Sequence, residues 1–311
     1  MPISSRAAIA STSALILAAG LAACGTADDA VANDMGAEVQ AAAQQGGTSS
    51  TSASSSASSN SDGTSMSTAT QSGSGNSSSS SSSTSTSNGA MSTSEETNDY
   101  EFSYQWPAAV GRDPALAKIM QGRVEAARSE VKSQSAETRA ESAENDFPFR
   151  KHSLHINWQE AADTPAFLSL SGNVASYSGG AHGNLFYDGL VWDKKNSQVF
   201  AATDFFTSPA ALEKAVQPRL CPMLNKERAE RRGSPIEQGS TDLFDVCPEI
   251  KRINVLLGSS NGKTFDRIGL RFAPYVAGPY AEGTYEMTLP VDAAALKAVD
   301  PTYRSAFSLG K

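Results

Sequence analysis

Three histidines, three cysteines and one serine-glycine pentapeptide are the residues of this chain whose types and spacing invite a catalytic reading. Gly258-Ser259-Ser260-Asn261-Gly262 fits the G-x-S-x-G pattern of a nucleophile elbow, which needs a helix directly after the serine and a histidine later in the chain. Phe265, Ile268, Leu270 and Phe272 instead continue on strand spacing, and the last histidine, His182, lies upstream. Asn261-Gly262 between two apolar runs is a hairpin signal, so the pentapeptide reads as a turn. His152 and His155, three apart in an extended run, point to opposite faces and cannot chelate one ion. No H-E-x-x-H and no phosphate-cradling glycine loop occurs, so neither a metal nor a cofactor is expected.

The cysteines divide by position. Cys24 follows an apolar run from Ala14 to Ala23 and a basic start at Arg6, and Leu21-Ala22-Ala23-Cys24 looks like a lipobox. That pattern predicts a signal over 1–23, lipidation of Cys24 and a stable membrane anchor in the bacterial cell envelope. Gly25 after the cysteine points to the outer membrane, facing the periplasm. In such an oxidising compartment the remaining pair, Cys221 and Cys247, is expected to form a disulfide.

The one unusual local sequence is Tyr177-Ser178-Gly179-Gly180-Ala181-His182-Gly183, three glycines and an imidazole between two strand-like runs. It predicts backbone with positive φ or a close approach to another group, and both a purely structural turn and a ligand site satisfy it.

The elements that must carry these residues begin where the aromatics begin. The first of the 23 Phe, Trp and Tyr residues is Tyr100, and 33 of the 50 residues from Thr48 to Thr97 are Ser or Thr. Residues 24–99 are therefore expected to be a lipidated, disordered linker and 100–311 the folded domain, divisible near 205 into two subdomains, 100–205 and 206–311. Residues 100–311 hold 24 Lys and Arg against 25 Asp and Glu, so −7 of the net charge of −8 belongs to residues 1–99. A nearly neutral globule lacks the footprint of a nucleic-acid binder.

Tyr100, Phe102, Tyr104 and Trp106 alternate as one face of a strand. Asp113-Pro114 then reads as the start of a helix to about Gln134, with Leu116, Ile119, Met120, Val124, Ala127 and Val131 at helical spacing, and the Ser/Glu/Ala-rich stretch beyond either extends it or frays. Strand-like runs follow at 149–158, 166–177 and 185–192, and a helix at 208–232 carries possible breaks at Pro218 and Pro222. Runs at 253–257, 264–275 and 284–289 and a short helix at 291–299 close the chain. The fold class is α+β, a mostly antiparallel sheet with packed helices.

Ser178-Gly-Gly-Ala-His-Gly183, then Trp192-Asp-Lys-Lys195 to Phe200 and Asp204-Phe-Phe206, resembles the RsiV-type extracytoplasmic module, an RsiV/PdaC-like domain. Arg271-Phe-Ala-Pro-Tyr-Val-Ala-Gly-Pro-Tyr-Ala-Glu-Gly283 resembles that module's second signature. Proteins of this type include an anti-sigma factor whose external domain binds lysozyme and a peptidoglycan deacetylase with a separate catalytic domain. The resemblance implies a non-enzymatic, envelope-facing binding domain with a muramidase or peptidoglycan as partner. The alternative it implies is a peptidoglycan-acting hydrolase or deacetylase-associated domain. No sigma-binding segment and no deacetylase domain is recognisable in the chain. The matching positions are Gly179, Gly180, Ala181, His182, Gly183, Tyr275, Tyr280 and Gly283, and Tyr177, Tyr275, Tyr280 and His182 are the candidate contact side chains.

Overall fold

Alternation of Tyr100, Phe102, Tyr104 and Trp106 with polar residues does what a period of two requires. In the computed structural model, which describes residues 80–311, all four rings are buried on one face of a seven-stranded sheet. Its strands are β1 (Ser81–Ser87), β2 (Ala90–Glu96), β3 (Tyr100–Trp106), β4 (His152–Asp163), β5 (Phe167–Tyr177), β6 (Asn184–Asp193) and β7 (Gln198–Phe200), side by side in chain order. Every pairing is antiparallel except β3 with β4, which run parallel. Helix α1 (Pro114–Glu144) makes that crossover and covers the aromatic face with Leu116, Met120, Val124 and Val131.

The expected boundary at Tyr100 is corrected by β1 and β2. The sheet starts at Ser81, within the tract assigned to the linker. β1 buries no side chain, and β2 buries only Met91 and Thr93. Backbone pairing and hydroxyl pairs, Ser83 with Ser94 and Thr84 with Thr93 at 2.9 Å each, hold the hairpin. Such a strand needs no aromatic ring, so a census of rings does not register it. The signal segment, Cys24 and the rest of residues 1–79 lie outside the described residues.

Of the two outcomes open beyond Gln134 the structure shows the extension, with α1 running ten residues further, to Glu144. Its last three turns bury only Ser135 and Ser142, whose hydroxyls donate to Lys132 O and Thr138 O. Arg139 secures this end by donating to Asn98 O, pairing with Asp99 and lying 4.0 Å over the Phe149 ring. At the other end Asp113 caps Ala115 N and Leu116 N with one oxygen and accepts the Trp192 indole N–H at 2.7 Å with the other. Ile119, expected to face the core, is 38% exposed.

The second half packs a smaller sheet, β8 (Asn254–Gly258), β9 (Arg267–Phe272) and β10 (Tyr285–Pro290) in the order β10-β9-β8, against α2 (Pro209–Arg232) and α3 (Ala293–Ala298). β9 is shorter than the expected run 264–275, because Phe265 leaves the strand to bridge Phe307 and Tyr275 enters a turn. α2 continues through Pro218 and Pro222, where breaks were expected. It buries Leu212, Val216, Leu220, Leu224 and Arg228 at every fourth residue, and Gly233, at φ +71°, ends it. Cys221 and Cys247 are joined, with Cα atoms 5.5 Å apart, and the bridge ties the segment after α2 back to the helix.

The two sheets share one boundary rather than standing apart as subdomains. Phe167 and Val191, on the large sheet, belong to the core built by β8–β10, and Phe205 sits inside that core. At Gly189 a Cβ would lie 3.1 Å from Leu256 Cδ2, so the glycine is what lets β8 close on β6. No helix among the described residues is long and apolar enough to cross a membrane.

Candidate functional site: an aromatic corner

The turn between β5 and β6 brings the first motif to one corner of the molecule, and the loop between β9 and β10 brings the second. His182 stacks on Tyr280 with ring centroids 3.8 Å apart and planes at 21°, and Tyr275 lies 5.7 Å from Tyr280 and 6.4 Å from His182. Residues about 95 positions apart thus form one three-ring cluster, half-buried at the surface.

Hydrogen bonds fix the imidazole's protonation geometry. His182 Nδ1 is 2.9 Å from Gly183 O, and a carbonyl only accepts, so Nδ1 carries the proton. Nε2 is then the acceptor for the Tyr275 hydroxyl at 3.3 Å. Gly183 O also accepts from the Tyr280 hydroxyl at 2.9 Å, using both lone pairs of one carbonyl. Tyr177 is not part of this cluster. Its hydroxyl donates to Gly180 O at 3.0 Å, and Arg150 donates to both Tyr177 and Gly180 O.

The glycines differ in what they do. Gly179 has φ +91° and Gly283 φ +70°, conformations that favour glycine. Gly180 has neither positive φ nor a close neighbour, which corrects the expectation for it alone. Gly183 serves close approach instead, since a Cβ there would lie 3.1 Å from Ser176 O. Tyr275 itself has φ +69°, a left-handed conformation that costs a residue with a Cβ about 1–2 kcal/mol.

Tyr275 N donates to Gly278 O at 3.0 Å and Arg252 donates to Tyr275 O at 3.2 Å, and the rest of the loop is held by an arginine cluster that was not legible as a motif. Arg228, fully buried, donates Nε to Ala277 O at 2.7 Å and its other nitrogens to Asn225, Asp245 O and Val246 O. Burial, and then the neighbouring Arg232 charge, push its pKa down. Arg232 bridges Asp245 at 2.6 Å and Glu282 at 2.7 Å. Arg231 donates to Glu282 O and Thr284 O and lies 3.8 Å over Tyr285. Burial works to raise the Glu282 carboxyl, but hydrogen bonds from Arg232 and Tyr285 and the arginine charges outweigh it and leave the pKa below its ordinary value. Burial and the bond to Glu282 push Tyr285 up to about 12. The available signal was the run Arg228-Ala-Glu-Arg-Arg232 at the end of a helix, three arginines on neighbouring positions of one turn.

The remaining chemical candidates separate. His152 is buried, stacked 5.9 Å from Phe149, with its pKa lowered by burial. His155 lies on the opposite face, where Ser103 Oγ is 2.8 Å from its Nδ1. Gly258 to Gly262 form a turn: Gly262 has φ +65°, Asn261 Oδ1 accepts from Lys263 N and Thr264 N, and Ser260 donates to Asp266. Among the described residues no group of three or more His, Cys, Asp or Glu is placed to hold a metal ion.

Residues 93–185 match the family model described as "Deacetylase PdaC". The matched segment runs from β2 through Ser178–Gly183 and ends two residues past it, so the Trp192–Phe206 part of the first signature and the whole of the second lie beyond it. Among solved structures, the chain is similar to a DUF3298 family protein from Pseudomonas aeruginosa PAO1, at 16% identity and a TM-score of 0.41, covering 68% of this chain and 88% of that one. A DUF3298 family member from Bacteroides fragilis NCTC 9343 is similar at 20% identity and a TM-score of 0.35, over 64% and 82%. No curated protein matches the chain.

Proposed function

We propose that this protein is an exported lipoprotein, anchored through Cys24 at the outer membrane facing the periplasm, whose domain binds an envelope partner without catalysing a reaction. The partner is a muramidase or the peptidoglycan it acts on. The observation that carries this reading is the aromatic corner. Tyr275 is held in a strained backbone conformation, and three rings from two distant motifs meet at the surface. Strain of this kind concentrates at functional sites, and tyrosines are favoured anchors of protein interfaces. Among the described residues the His182, Tyr275 and Tyr280 side chains bond to one another and to Gly183 O, and Arg252 reaches only the Tyr275 carbonyl, at 3.2 Å, so the corner presents rings and hydroxyls. The match of residues 93–185 to a segment named for a deacetylase fits an envelope setting. It keeps the alternative, a domain accompanying peptidoglycan hydrolysis or deacetylation, as the second reading.

The test is calorimetric titration of the full chain with lysozyme and, separately, with soluble muropeptides. Binding should depend only modestly on salt, because residues 80–311 carry 24 Lys and Arg against 28 Asp and Glu, a net charge of −4. His182→Ala should weaken it about tenfold or more, with the melting temperature little changed. Absence of heat with both ligands, or loss of binding only together with the fold, removes the proposal and leaves the corner as a structural staple.

A further inference from the structure

The face of the large sheet that α1 does not cover carries an ordered row of side chains. Strand register places Ser85 opposite Ser92, Ser92 opposite Gln105, Gln105 beside Asn157, Asn157 opposite Asn173 and Asn173 opposite Tyr187. One line of hydroxyls and amides therefore crosses six strands, about 24 Å at the usual interstrand spacing of about 4.8 Å. The adjacent row repeats the pattern, from Ser83 through Ser94, Ser103 and His155 to Ala175 and Leu185. Two contiguous depressions follow these rows, of about 390 and 270 Å³, sharing Gln105 and Asn157.

Two properties set this surface apart from an ordinary solvated sheet face. The twelve positions contain no Lys, Arg, Asp or Glu, where protein surfaces carry about 25–35% of these residues. Its polar groups are also part fixed and part free. Arg271 donates to Asn173 Oδ1 at 2.7 Å and to Ser171 at 2.6 Å and lies 3.7 Å over Tyr187, which leaves the Asn173 amide nitrogen to point donors elsewhere. Ser83 pairs with Ser94 and Ser103 with His155. The Gln105 and Asn157 amides, exposed on the two central strands, are engaged in no hydrogen bond among the described residues.

We infer that these rows are the binding site of a neutral glycan strand lying across the sheet, at right angles to its strands. A polynucleotide or a lipid headgroup brings negative charge, and the cation at the end of the row, Arg271, is already paired with Glu286 at 2.7 Å. An extended peptide pairs its backbone with a sheet edge rather than a sheet face. A neutral sugar chain presents alternating donors and acceptors along its length, matched by Ser, Gln and Asn, and its acetamido substituents find amides at Gln105, Asn157 and Asn173 and apolar contact at Ala175 and Leu185. The envelope reading above guides only the choice of probe.

The probe is a β-1,4-linked N-acetylglucosamine hexamer, titrated into the full chain. Asn157→Ala and Gln105→Ala should each weaken binding about fivefold, the value of one hydrogen bond. Ser85→Lys, on the fully exposed β1 where the fold is not at stake, should weaken it by crowding one end of the row. Lysozyme should bind the three row variants as it binds the unaltered chain, so failure at the aromatic corner and failure here read out separately. No binding of the hexamer, equal binding of the cationic glucosamine hexamer, or affinity indifferent to all three row variants overturns the inference. So does sedimentation showing that the face is closed by a second copy.

Discussion

Removing the Cys221–Cys247 bridge tests how the arginine cluster beneath the aromatic corner is held. The bridge closes a loop across a sequence separation of 26, and on the chain-entropy account a loop of that length contributes about 3.5 kcal/mol. For a unit of 150–250 residues each kcal/mol moves the melting temperature about 2–4 °C, so Cys221→Ser with Cys247→Ser should lower it by about 7–14 °C. The loss should not stay local. Two acceptors of buried Arg228, Asp245 O and Val246 O, lie one and two residues from Cys247, and Arg232 reaches Asp245 from the same helix. Arg228→Met should therefore combine with loss of the bridge less than additively, because both act on one segment. The assay is thermal unfolding followed by circular dichroism, on the oxidised protein, the reduced protein and the variants. A shift under about 3 °C, or strict additivity with Arg228→Met, would refute the coupling and leave the arginines as independent fasteners.

Three further outcomes are expected. His152 is held with its pKa below the ordinary value, so its neutral form is the one the fold accepts; stability is full above about pH 6.5 and falls as pH drops below it, and His152→Phe should flatten the urea midpoint between about pH 7.5 and 5. Glu282→Gln should cost about 1–3 kcal/mol at pH 7, and because the native carboxyl titrates below its unfolded value, that deficit should shrink as pH falls from about 5 to 3, measured by urea unfolding at each pH. A chain starting at Tyr100 should lose at least the about 2–5 kcal/mol of a deleted buried Met91 and expose the β3 edge, so it should aggregate or melt earlier than one starting at Gly73, as differential scanning calorimetry would show.

The elements legible in the sequence were those with a strong apolar period. β3 shows four rings on alternate residues, and β5 and β6 stand out between glycine-rich turns, so each lies within a residue or two of its expected place. The hairpin β1–β2 was invisible because main-chain pairing and hydroxyl contacts build it, and those leave no hydrophobic signature. The far end of α1 was left open between extension and fraying for a related reason: its fastening is Arg139 against Asp99 and Phe149, a contact between distant parts of the chain. At the candidate site the two motifs were legible as anomalies, and their meeting was not. Nothing about Gly183 in isolation says that its carbonyl will accept from both His182 and Tyr280. Nothing in the sequence singled out Arg228, and only its burial against the 275–284 loop gives it its role.

A seven-residue strand with no buried side chain has a mechanical consequence. Any pull on the chain from its N-terminal side enters the described unit at Ser81, at the free end of an edge strand. β1 resists with backbone pairing to β2 and a few hydroxyl contacts, so it can peel away one residue pair at a time instead of shearing all at once. Peeling it releases about 24 Å of extended chain. The first side chains whose exposure costs core packing, Met91 and Thr93, come only afterwards. β1 thus acts as a sacrificial slack element, which lengthens under load and re-zips when the load falls, while the aromatic face behind β3 stays closed.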